Sequence, residues 1–548
     1  MSIDVEWLMG EMTLEEKVGQ LFLLAFEADS IDAAQTLFER YFVAGSYQSN
    51  DNLPTPAAAA EMTARIQAFA AATRLAIPLL LAADQEGAWS VMYPGSSPGP
   101  GNLALGATGD PAHAKAMYEV IGRELRAVGV DANLGPACDC NTNPDNVAIG
   151  MRSFGERAES VAAMTEAGVA GALAAGSIAT LKHFPGHGDT SLDSHRGLPT
   201  VDRSRDELFA IDLLPFERGV AAGAQMIMTA HIMFPALDPD RPATLSPTIL
   251  GDVLRGELGF DGVILSDSMN MKSMRTNYDP IDAATQAVNA GVDLIMLAEE
   301  HYDHDSGYLE RQVALIEGIT EAVRDGRIST KRLDEAVGRT LRLKASLGDT
   351  GELDPASLGS PAHRAIELAA ARAAVSTLRG GDAFPLVAGA PLTLVNTALR
   401  DAYEVLGSTR GIGPNQTDAA FDLFVAAVRE RSPDVRVLSA EQVLAGELPA
   451  ADGAIVAVTE NHTLPGMDFD QSAKLDVLRA LADAGRPAAV VALRDPYELR
   501  EIDFVADYLC TFSQRWCSVQ AAAEAVFGEI DVHRSSPVGV PGAGVEAR

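Results

Sequence analysis

A segment of 18 residues, KHFPGHGDTSLDSHRGLP (182–199), concentrates side chains that could do chemistry. It contains three histidines, two aspartates, a lysine and an arginine. Pro185 and three glycines break any helix here, so the pattern predicts a long loop. The glycine content also indicates that the backbone approaches a ligand, because glycine leaves room where a side chain would clash.

Three kinds of chemistry fit this loop, and the residues alone leave all three open. A metal could be bound, although the spacing does not match HExxH, by His183, His187, Asp189, Asp193 and His195. Alternatively, the Asp193 carboxylate could hold His195 in one tautomer, so that the other ring nitrogen gives or takes a proton. In the third interpretation the side chains only bond to one another.

The loop follows the fifth of eight short apolar runs that we predict to be β-strands. The runs are LFLLAF (21–26), VAGSYQ (43–48), PLLLAADQ (78–85), DANLGPA (131–137), IATLKHF (178–184), QMIMTAHI (225–232), GVILSDS (262–268) and DLIML (293–297). Helical segments separate most of them, which predicts a parallel sheet closed into an α/β (β/α)8 TIM-type barrel. An open doubly wound sheet would need a GxGxxG turn after the first strand, and LFLLAFEADS lacks one.

Four of the runs end in groups that could take part in catalysis. These groups are Asp84, Lys182 with His183, His231, and Asp267. Active sites of such barrels lie at the carboxyl ends of the strands. We therefore predict that these side chains surround one mouth, although polar residues can also mark strand ends for structural reasons.

The remaining sequence predicts a second, smaller α/β domain. A helical segment over 327–348 closes the barrel, so the catalytic domain is placed at 1–348 and a linker rich in Gly, Pro, Ser and Asp at 349–372. The C-terminal domain is placed at 373–548. Its strand candidates are LTLVN (392–396), GAIVAVT (453–459), AAVVAL (488–493) and YLCTFS (508–513).

The loop resembles the signature KH(F)PGHGxTxxDSH of glycoside hydrolase family 3, in its β-N-acetylglucosaminidase branch. Further segments are similar to the family in the same order. They are MTLEEKVGQLF, ADQEG (83–87), NPDNVAIGMRSFG (143–155), MTAHIMFPALDPDRPATLS (228–246) and LGFDGVILSDSMNM (258–271). The resemblance covers the barrel and, more weakly, the second domain, for which it implies the family's α/β sandwich.

The resemblance implies a retaining, exo-acting β-N-acetylglucosaminidase. Asp267 matches the nucleophile that forms a covalent glycosyl-enzyme, and His195 matches the acid/base, held by Asp193. The positions that match the family's sugar-binding groups are Asp84, Arg152, Lys182, His183 and His231. After DQEG the family usually continues with glycine and arginine, whereas this chain has Ala88 and Trp89, so the rim beside Asp84 differs.

The acceptor of the sugar stays open. Retaining enzymes usually employ two carboxyl groups, one as nucleophile and one as acid/base. Here the resemblance assigns the acid/base role to a histidine, and a neutral imidazole repels an anionic acceptor less than a carboxylate does. A β-N-acetylglucosaminide phosphorylase using inorganic phosphate is therefore an alternative, as is a dual β-glucosidase/N-acetylglucosaminidase. A non-catalytic sugar-binding protein would need Asp267 or His195 to be lost, and both are present. No cofactor or metal is implied.

The charge and composition of the sequence limit the kinds of partner and the cellular location that we expect. A formal net charge of −34 disfavours nucleic acid and anionic membranes, which select basic surfaces. The acidic N-terminus lacks the pattern of a secretory signal, no apolar stretch is long enough to span a bilayer, and four cysteines are too few for a disulfide scaffold. We expect a cytoplasmic enzyme with a small glycoside as substrate, and the sequence leaves its oligomeric state open.

Overall fold

The structure is a computed structural model, and it describes residues 3–87, 90, 92–146, 148–191, 197–298, 307–347, 352–399, 416, 418–450, 452–460 and 472–548. Its strands, in chain order, begin with β1 (Phe22–Leu24), β2 (Gly45–Tyr47), β3 (Leu80–Ala83), β4 (Ala132–Asn133), β5 (Ile178–Phe184) and β6 (Met226–Thr229). They continue with β7 (Met233–Phe234), β8 (Asp238–Pro242), β9 (Val263–Leu265) and β10 (Ile295–Leu297). The second part of the chain adds β11 (Ser376–Arg379), β12 (Leu392–Asn396), β13 (Arg436–Leu438), β14 (Ala454–Thr459), β15 (Ala489–Ala492) and β16 (Tyr508–Cys510).

The predicted (β/α)8 barrel is confirmed. Its parallel strands run in the order β10-β1-β2-β3-β4-β5-β6-β9, and each of the eight predicted runs contains one of them. Backbone hydrogen bonds next to β9 and β10 close the sheet, since Leu294 N donates to Ile264 O (3.0 Å) and Ser266 N donates to Leu294 O (2.9 Å). A hairpin of β7 and β8, which the sequence analysis did not predict, follows β6.

Helices surround the barrel, and most of the longer ones bury an apolar face. Their bounds are Val5–Glu11, Leu14–Gly19, Ile31–Glu39, Pro56–Ala71, Asn102–Thr108, Pro111–Ala127, Ala158–Ala174, Arg205–Glu207, Leu214–Ala221, Lys272–Arg275, Pro280–Ala290, Tyr308–Arg324 and Thr330–Ser346, with π-helical turns at Leu208–Asp212 and Thr248–Glu257. Several begin at standard signals, such as the capping box of Thr13 and Glu16. None of the described helices is long and apolar enough to cross a membrane.

The second domain is an α/β sandwich around one mixed sheet. The strand order is β11-β16-β15-β14-β12-β13, and β11 pairs antiparallel with β16 while the other pairs are parallel. The four predicted strands are present, and β11 and β13 are additional. The helices of this part are Pro361–Ala374, Ala420–Arg429, Ala440–Leu444, Ser472–Asp483 and Trp516–Val526.

The segment predicted as a linker, 349–372, contains structure of its own. The helix Pro361–Ala374 begins inside it, with Ser360 as the N-cap whose side chain accepts a hydrogen bond from His363 N (3.4 Å). Ser followed by Pro is a helix-start signal, although the surrounding residues have the composition of a linker. The domain boundaries therefore stay predictions, with residues 361–372 helical rather than irregular.

An apolar cluster joins the two domains, which we call the junction cluster. The barrel contributes Leu103, Ala104, Ala107 and Met151 to it, and all four are buried. The second domain contributes residues of its sheet and of the segments that follow the strands, such as Tyr508. Because Met151 precedes Arg152 in the chain, this packing reaches the edge of the barrel mouth.

Candidate active site

Three barrel strands bring a carboxylate, a tyrosine and a lysine together at the barrel mouth. Asp84 directly follows β3, and its Oδ1 accepts a hydrogen bond from Lys182 Nζ (2.5 Å) on β5. Its Oδ2 accepts one from the hydroxyl of Tyr47 (2.9 Å) at the end of β2. Lys182 and Tyr47 are buried, whereas the Asp84 side chain stays 17% exposed. Asp84 is thus held rigidly while part of its carboxylate faces the mouth.

Glu86 connects this lysine to Arg152. Arg152 Nε donates to Glu86 Oε2 (2.8 Å) and a terminal nitrogen donates to Oε1 (3.0 Å), which is the two-pronged geometry that guanidinium and carboxylate groups favour. Lys182 Nζ also lies 2.5 Å from Glu86 Oε1. Asp84, Glu86, Arg152 and Lys182 therefore form a cluster with two negative and two positive charges, which we call the charged clamp.

Two members of the charged clamp, Glu86 and Lys182, stay ionised despite their burial. Burial alone would raise the pKa of Glu86, but the charges of Arg152 and Lys182 outweigh it and hold this pKa well below its usual range. Burial alone would lower the pKa of Lys182, but Asp84 and Glu86 outweigh it and raise this pKa. Glu86 and Lys182 thus provide fixed charges at the barrel mouth near neutral pH.

His183 lies between the charged clamp and a buried carboxylate, Asp139. A terminal nitrogen of Arg152 lies 3.2 Å from His183 Nε2, and His183 Nδ1 lies 2.9 Å from Asp139 Oδ2. Because a guanidinium can only donate, Nε2 must accept, so the hydrogen of the neutral ring is on Nδ1 and points to Asp139. His183 is therefore fixed in one tautomer from both sides.

The pKa values of this pair support a neutral histidine. Burial, with the nearby charge of Arg152, lowers the pKa of His183 well below its usual value, although Asp267 acts in the opposite direction. Burial raises the pKa of Asp139 to about 6, against the effect of His187 and of two backbone N–H groups. At neutral pH the pair is a neutral imidazole donating to a carboxylate.

Asp267 lies where the barrel rule predicts a catalytic group. It comes two residues after the end of β9, and its Oδ1 accepts a hydrogen bond from Ser268 N (2.8 Å). The side chain is part-buried and affects the pKa of His183, so the two groups share one electrostatic environment. A part-buried carboxylate at this position can reach a ligand held by the charged clamp.

His231 lies behind Asp267 and holds the backbone there. Its Nε2 lies 3.0 Å from Ser268 O, and its Nδ1 lies 2.8 Å from Thr244 Oγ1. Since a carbonyl can only accept, Nε2 carries a hydrogen and donates to it. The ring is 1% exposed. His231 therefore supports the backbone next to Asp267, and the sugar contact predicted for it from the sequence stays a prediction.

The predicted proton-transfer dyad, Asp193 and His195, lies outside the described residues, as do Ala88 and Trp89. The start of their loop is described and is tightly held. Asp139 Oδ1 accepts hydrogen bonds from His183 N (3.1 Å) and His187 N (2.7 Å). A Cβ atom at Gly188 would lie 1.8 Å from Cys140 O, so only glycine fits there. The loop therefore leaves the barrel from a fixed base.

Sequence reasoning missed three members of the site, namely Tyr47, Glu86 and Asp139. Glu86 was inside the quoted ADQEG segment, and the signal was a second carboxylate two residues after Asp84 in an extended chain, where both side chains point the same way. Asp139 was flanked by two cysteines, and a charged residue in such a buried setting indicates a bonded partner. Tyr47 ends an apolar run and gave no separate signal.

A metal site was one of the interpretations of the loop. Among the residues that the structure describes, no group of three or more His, Cys, Asp or Glu side chains is arranged to hold a metal ion. His183 and His187 stack edge to face, with ring centroids 5.7 Å apart, and their Nδ1 atoms face Asp139 and Thr190 respectively. The described histidines of the loop are thus engaged by protein groups.

Comparison with known proteins gives matches over the barrel and over most of the chain. Residues 13–343 match the family model described as the Glycosyl hydrolase family 3 N terminal domain. A β-hexosaminidase A from Pseudoalteromonas piscicida is 29% identical over 84% of this chain and 81% of the relative. A β-N-acetylglucosaminidase/β-glucosidase from Cellulomonas fimi is 28% identical over 97% of this chain and 94% of the relative.

A solved structure extends the match to both domains. The glycoside hydrolase family 3 β-N-acetylglucosaminidase from Paenibacillus sp. str. FPU-7 superposes with a TM-score of 0.83 at 30% identity, covering 96% of this chain and 99% of that one. The family model alone spans more than half of the present sequence. This chain therefore belongs to glycosyl hydrolase family 3.

Proposed function

We propose that this family member removes terminal β-linked N-acetylglucosamine from glycans, with Asp267 as nucleophile and with Asp193 and His195 as the acid/base dyad. The observation that carries the proposal is the position of Asp267 after the carboxyl end of β9. The charged clamp lies at the same barrel mouth, and its two positive and two negative side chains form ion pairs with one another. We expect a sugar bound by the clamp to place its anomeric carbon near Asp267, since Asp267 and the clamp residues Arg152 and Lys182 all act on the pKa of His183. The substrate class is supported by the names of three similar proteins, which are a β-hexosaminidase, a β-N-acetylglucosaminidase/β-glucosidase and a β-N-acetylglucosaminidase.

In the first step of the proposed reaction, an oxygen of Asp267 attacks the anomeric carbon and the glycosidic C–O bond breaks. His195 gives its proton to the leaving oxygen, and the sugar becomes an ester of Asp267. In the second step, His195 takes a proton from water, whose oxygen attacks the anomeric carbon and releases Asp267. The anomeric configuration is inverted twice and hence retained.

The charged clamp supports this chemistry by orientation rather than by proton transfer. Asp84 offers a fixed carboxylate acceptor to sugar hydroxyls, while Arg152 and Lys182 hold it in place, directly or through Glu86. A pre-set acceptor strengthens binding because little side-chain entropy is lost when the sugar arrives.

Phosphate in place of water is the second candidate acceptor. An imidazole acid/base is neutral once it has given up its proton, so it does not repel an incoming phosphate as a carboxylate would. In that case the product is N-acetylglucosamine 1-phosphate. The same nucleophile and dyad serve both reactions, and only the product distinguishes them.

The test is turnover of nitrophenyl β-N-acetylglucosaminide and nitrophenyl β-glucoside, each with and without inorganic phosphate, with identification of the sugar released. Free N-acetylglucosamine at a phosphate-independent rate supports the proposal. Sugar 1-phosphate formed faster with phosphate makes the chain a phosphorylase, and turnover of both glycosides makes it a dual enzyme. Activity on neither overturns the proposed substrate class.

The nucleophile is tested with Asp267→Ala, and Asp261→Asn serves as the control. Asp261 is an aspartate of the same barrel whose side chain is 87% exposed, so its replacement should leave kcat unchanged. Asp267→Ala should fold normally and lose turnover by several powers of ten, because the first step has no attacking group. A folded Asp267→Ala enzyme with most of its activity would refute the assignment.

We also propose that the enzyme acts in the cytoplasm on cell-wall or chitin fragments. Its four cysteines are buried and free. Free cysteines are typical of a reducing compartment. Burial raises the pKa of the Cys138 thiol well above its usual value, so this thiol is unreactive. Fractionation of cells, with activity in the soluble cytoplasmic fraction, is the expected result.

A further inference from the structure

Residues 141–146, which we call the bracing segment, form hydrogen bonds with four consecutive residues, 187–190, at the start of the loop that carries Asp193 and His195. Asn146 Nδ2 donates to His187 O (2.7 Å), and Asn143 N donates to Gly188 O (3.3 Å). Thr142 Oγ1 donates to Asp189 Oδ1 (3.1 Å). Two weaker contacts, at 3.4 Å, join Asn143 Nδ2 to Asp189 O and Asn146 Nδ2 to Thr190 Oγ1. The loop position is therefore tied to that of the bracing segment.

The second domain bonds the same bracing segment from the other side. Asn141 Nδ2 donates to the hydroxyl of Tyr497 (2.7 Å), which lies in the turn after β15. Arg500, three residues further, donates to Asp145 Oδ1 (2.7 Å). Asn141 and Tyr497 are 1% and 5% exposed, whereas the arginine pair is largely exposed and contributes less.

We propose that Tyr497 is a positioning residue for acid/base catalysis, acting through Asn141 and the bracing segment on the loop that carries Asp193 and His195. The inference rests on the proposed function, because it needs these two residues to transfer the proton. Asn141 Oδ1 has no hydrogen-bond partner among the residues that the structure describes. The orientation of this buried amide is therefore set by its Nδ2 bond to Tyr497, a residue of the second domain.

Proton transfer responds to such positioning more than sugar binding does. The donor must approach the leaving oxygen to hydrogen-bond distance, whereas the charged clamp is held by hydrogen bonds and ion pairs among its own members and by Tyr47. A displaced acid slows only those substrates whose leaving group needs a proton. The second domain thus contributes to the protonation step of the reaction.

The experiment compares two glycosides that differ in their need for an acid. Phenyl β-N-acetylglucosaminide has a basic leaving group and depends on protonation, whereas the 2,4-dinitrophenyl glycoside does not. In both cases kcat/KM reports the first chemical step. For Tyr497→Phe we expect kcat/KM to fall at least tenfold with the phenyl glycoside and less than twofold with the dinitrophenyl glycoside.

Tyr508→Phe is the matched control. Tyr508 is also a buried tyrosine of the second domain, and its hydroxyl donates to Glu498 (3.0 Å) of the same domain. The control should change kcat/KM less than twofold with either substrate. A control that behaves like Tyr497→Phe would show that any lost hydroxyl in this domain has the effect, and would overturn the inference.

Asn141→Ala tests the proposed link independently. It should give the same substrate-dependent loss, and adding Tyr497→Phe to it should cause no further decrease beyond twofold, because both changes break one hydrogen bond. Three outcomes would overturn the proposed role of Tyr497 and leave the proposed function intact. They are equal losses of kcat/KM with both glycosides, no loss of kcat/KM, or losses of kcat/KM that add in the double variant. A wild-type enzyme that turns over neither N-acetylglucosaminide would instead overturn the proposed function, and this inference with it.

Discussion

Replacing Glu86 with glutamine removes one charge from the charged clamp and keeps the shape of the side chain. The glutamine oxygen can still accept from one neighbour, but its NH2 group must face Arg152 or Lys182, which only donate. Breaking a buried ion pair on one side costs about 3–5 kcal/mol. We therefore expect Glu86→Gln to lower the free energy of unfolding by about this amount at neutral pH.

The same change should impair sugar binding. Without Glu86, Arg152 and Lys182 have Asp84 as the remaining carboxylate of the clamp, and both will move towards it. Loss of about 2.7 kcal/mol of binding at this acceptor lowers kcat/KM about 100-fold for an aryl N-acetylglucosaminide. Urea unfolding and steady-state kinetics measure the two effects.

Glu524→Gln is the matched control for this prediction. Arg372 donates to Glu524 through two nitrogens (2.6 and 2.7 Å), as Arg152 does to Glu86, but Arg372 is 45% exposed. The expected loss of stability is below about 1 kcal/mol, with unchanged kinetics. If Glu86→Gln were as mild as this control in both assays, the clamp would not be an interdependent unit and the reasoning would be refuted.

The pH dependence of the Glu86 effect has a definite sign. The pKa of Glu86 is lower in the folded protein than in the unfolded chain, so its stabilising contribution is complete above the unfolded value of about 4.3. It is lost as the pH falls further towards the folded value. The stability difference between wild type and Glu86→Gln should therefore be constant between pH 6 and 8, shown by urea unfolding in that range, and shrink below about pH 4.

Three further changes test other parts of the structure. Tyr47→Phe removes the hydroxyl that donates to Asp84 and should raise KM about fivefold in steady-state assays, with kcat nearly unchanged; an equal fall in kcat would contradict a binding role. Asp139→Asn should lower kcat/KM about 100-fold, because its NH2 group must face one of the donors His183 N, His187 N or His183 Nδ1, and an unchanged kcat/KM would contradict this role. In the wild type, ¹⁵N NMR should find the hydrogen of neutral His183 on Nδ1, and a hydrogen on Nε2 would refute the tautomer assignment. Burial lowers the pKa of Lys344 to about 7, so its unfavourable contribution is full below pH 7 and disappears towards pH 10. The free energy of unfolding of the wild type, measured with urea, should therefore rise by several kcal/mol relative to that of Lys344→Met between pH 7 and 10. If the two proteins showed the same pH dependence of this free energy, the pKa of Lys344 would not be lowered.

Sequence reasoning succeeded where one physical pattern decided the outcome. The run 178–184 was predicted and found as β5 because an apolar segment of that length, followed by Pro185, is typical of a buried parallel strand. Asp84 and Asp267 could be predicted as site residues because the barrel places strand ends together. Their positions follow from topology, without knowledge of any side-chain contact.

It failed where a residue's role depends on partners distant in the chain. Asp139 receives hydrogen bonds from residues 44 and 48 positions away, and Tyr47 reaches a carboxylate 37 positions away. Local patterns contain no information on such pairs. Short edge elements such as β11 and β13 were missed for a related reason, since tertiary pairing rather than propensity creates them.

The junction cluster has a consequence for how the domain architecture of such enzymes can change. A barrel truncated after residue 348 would expose one contiguous apolar patch, formed by Leu103, Ala104, Ala107 and Met151. Exposed apolar patches promote aggregation. Evolution or a protein engineer can therefore remove the second domain only together with polar substitutions at these positions. The residue types at these four sites then become a sequence marker that distinguishes a barrel built to stand alone from one that needs its neighbour.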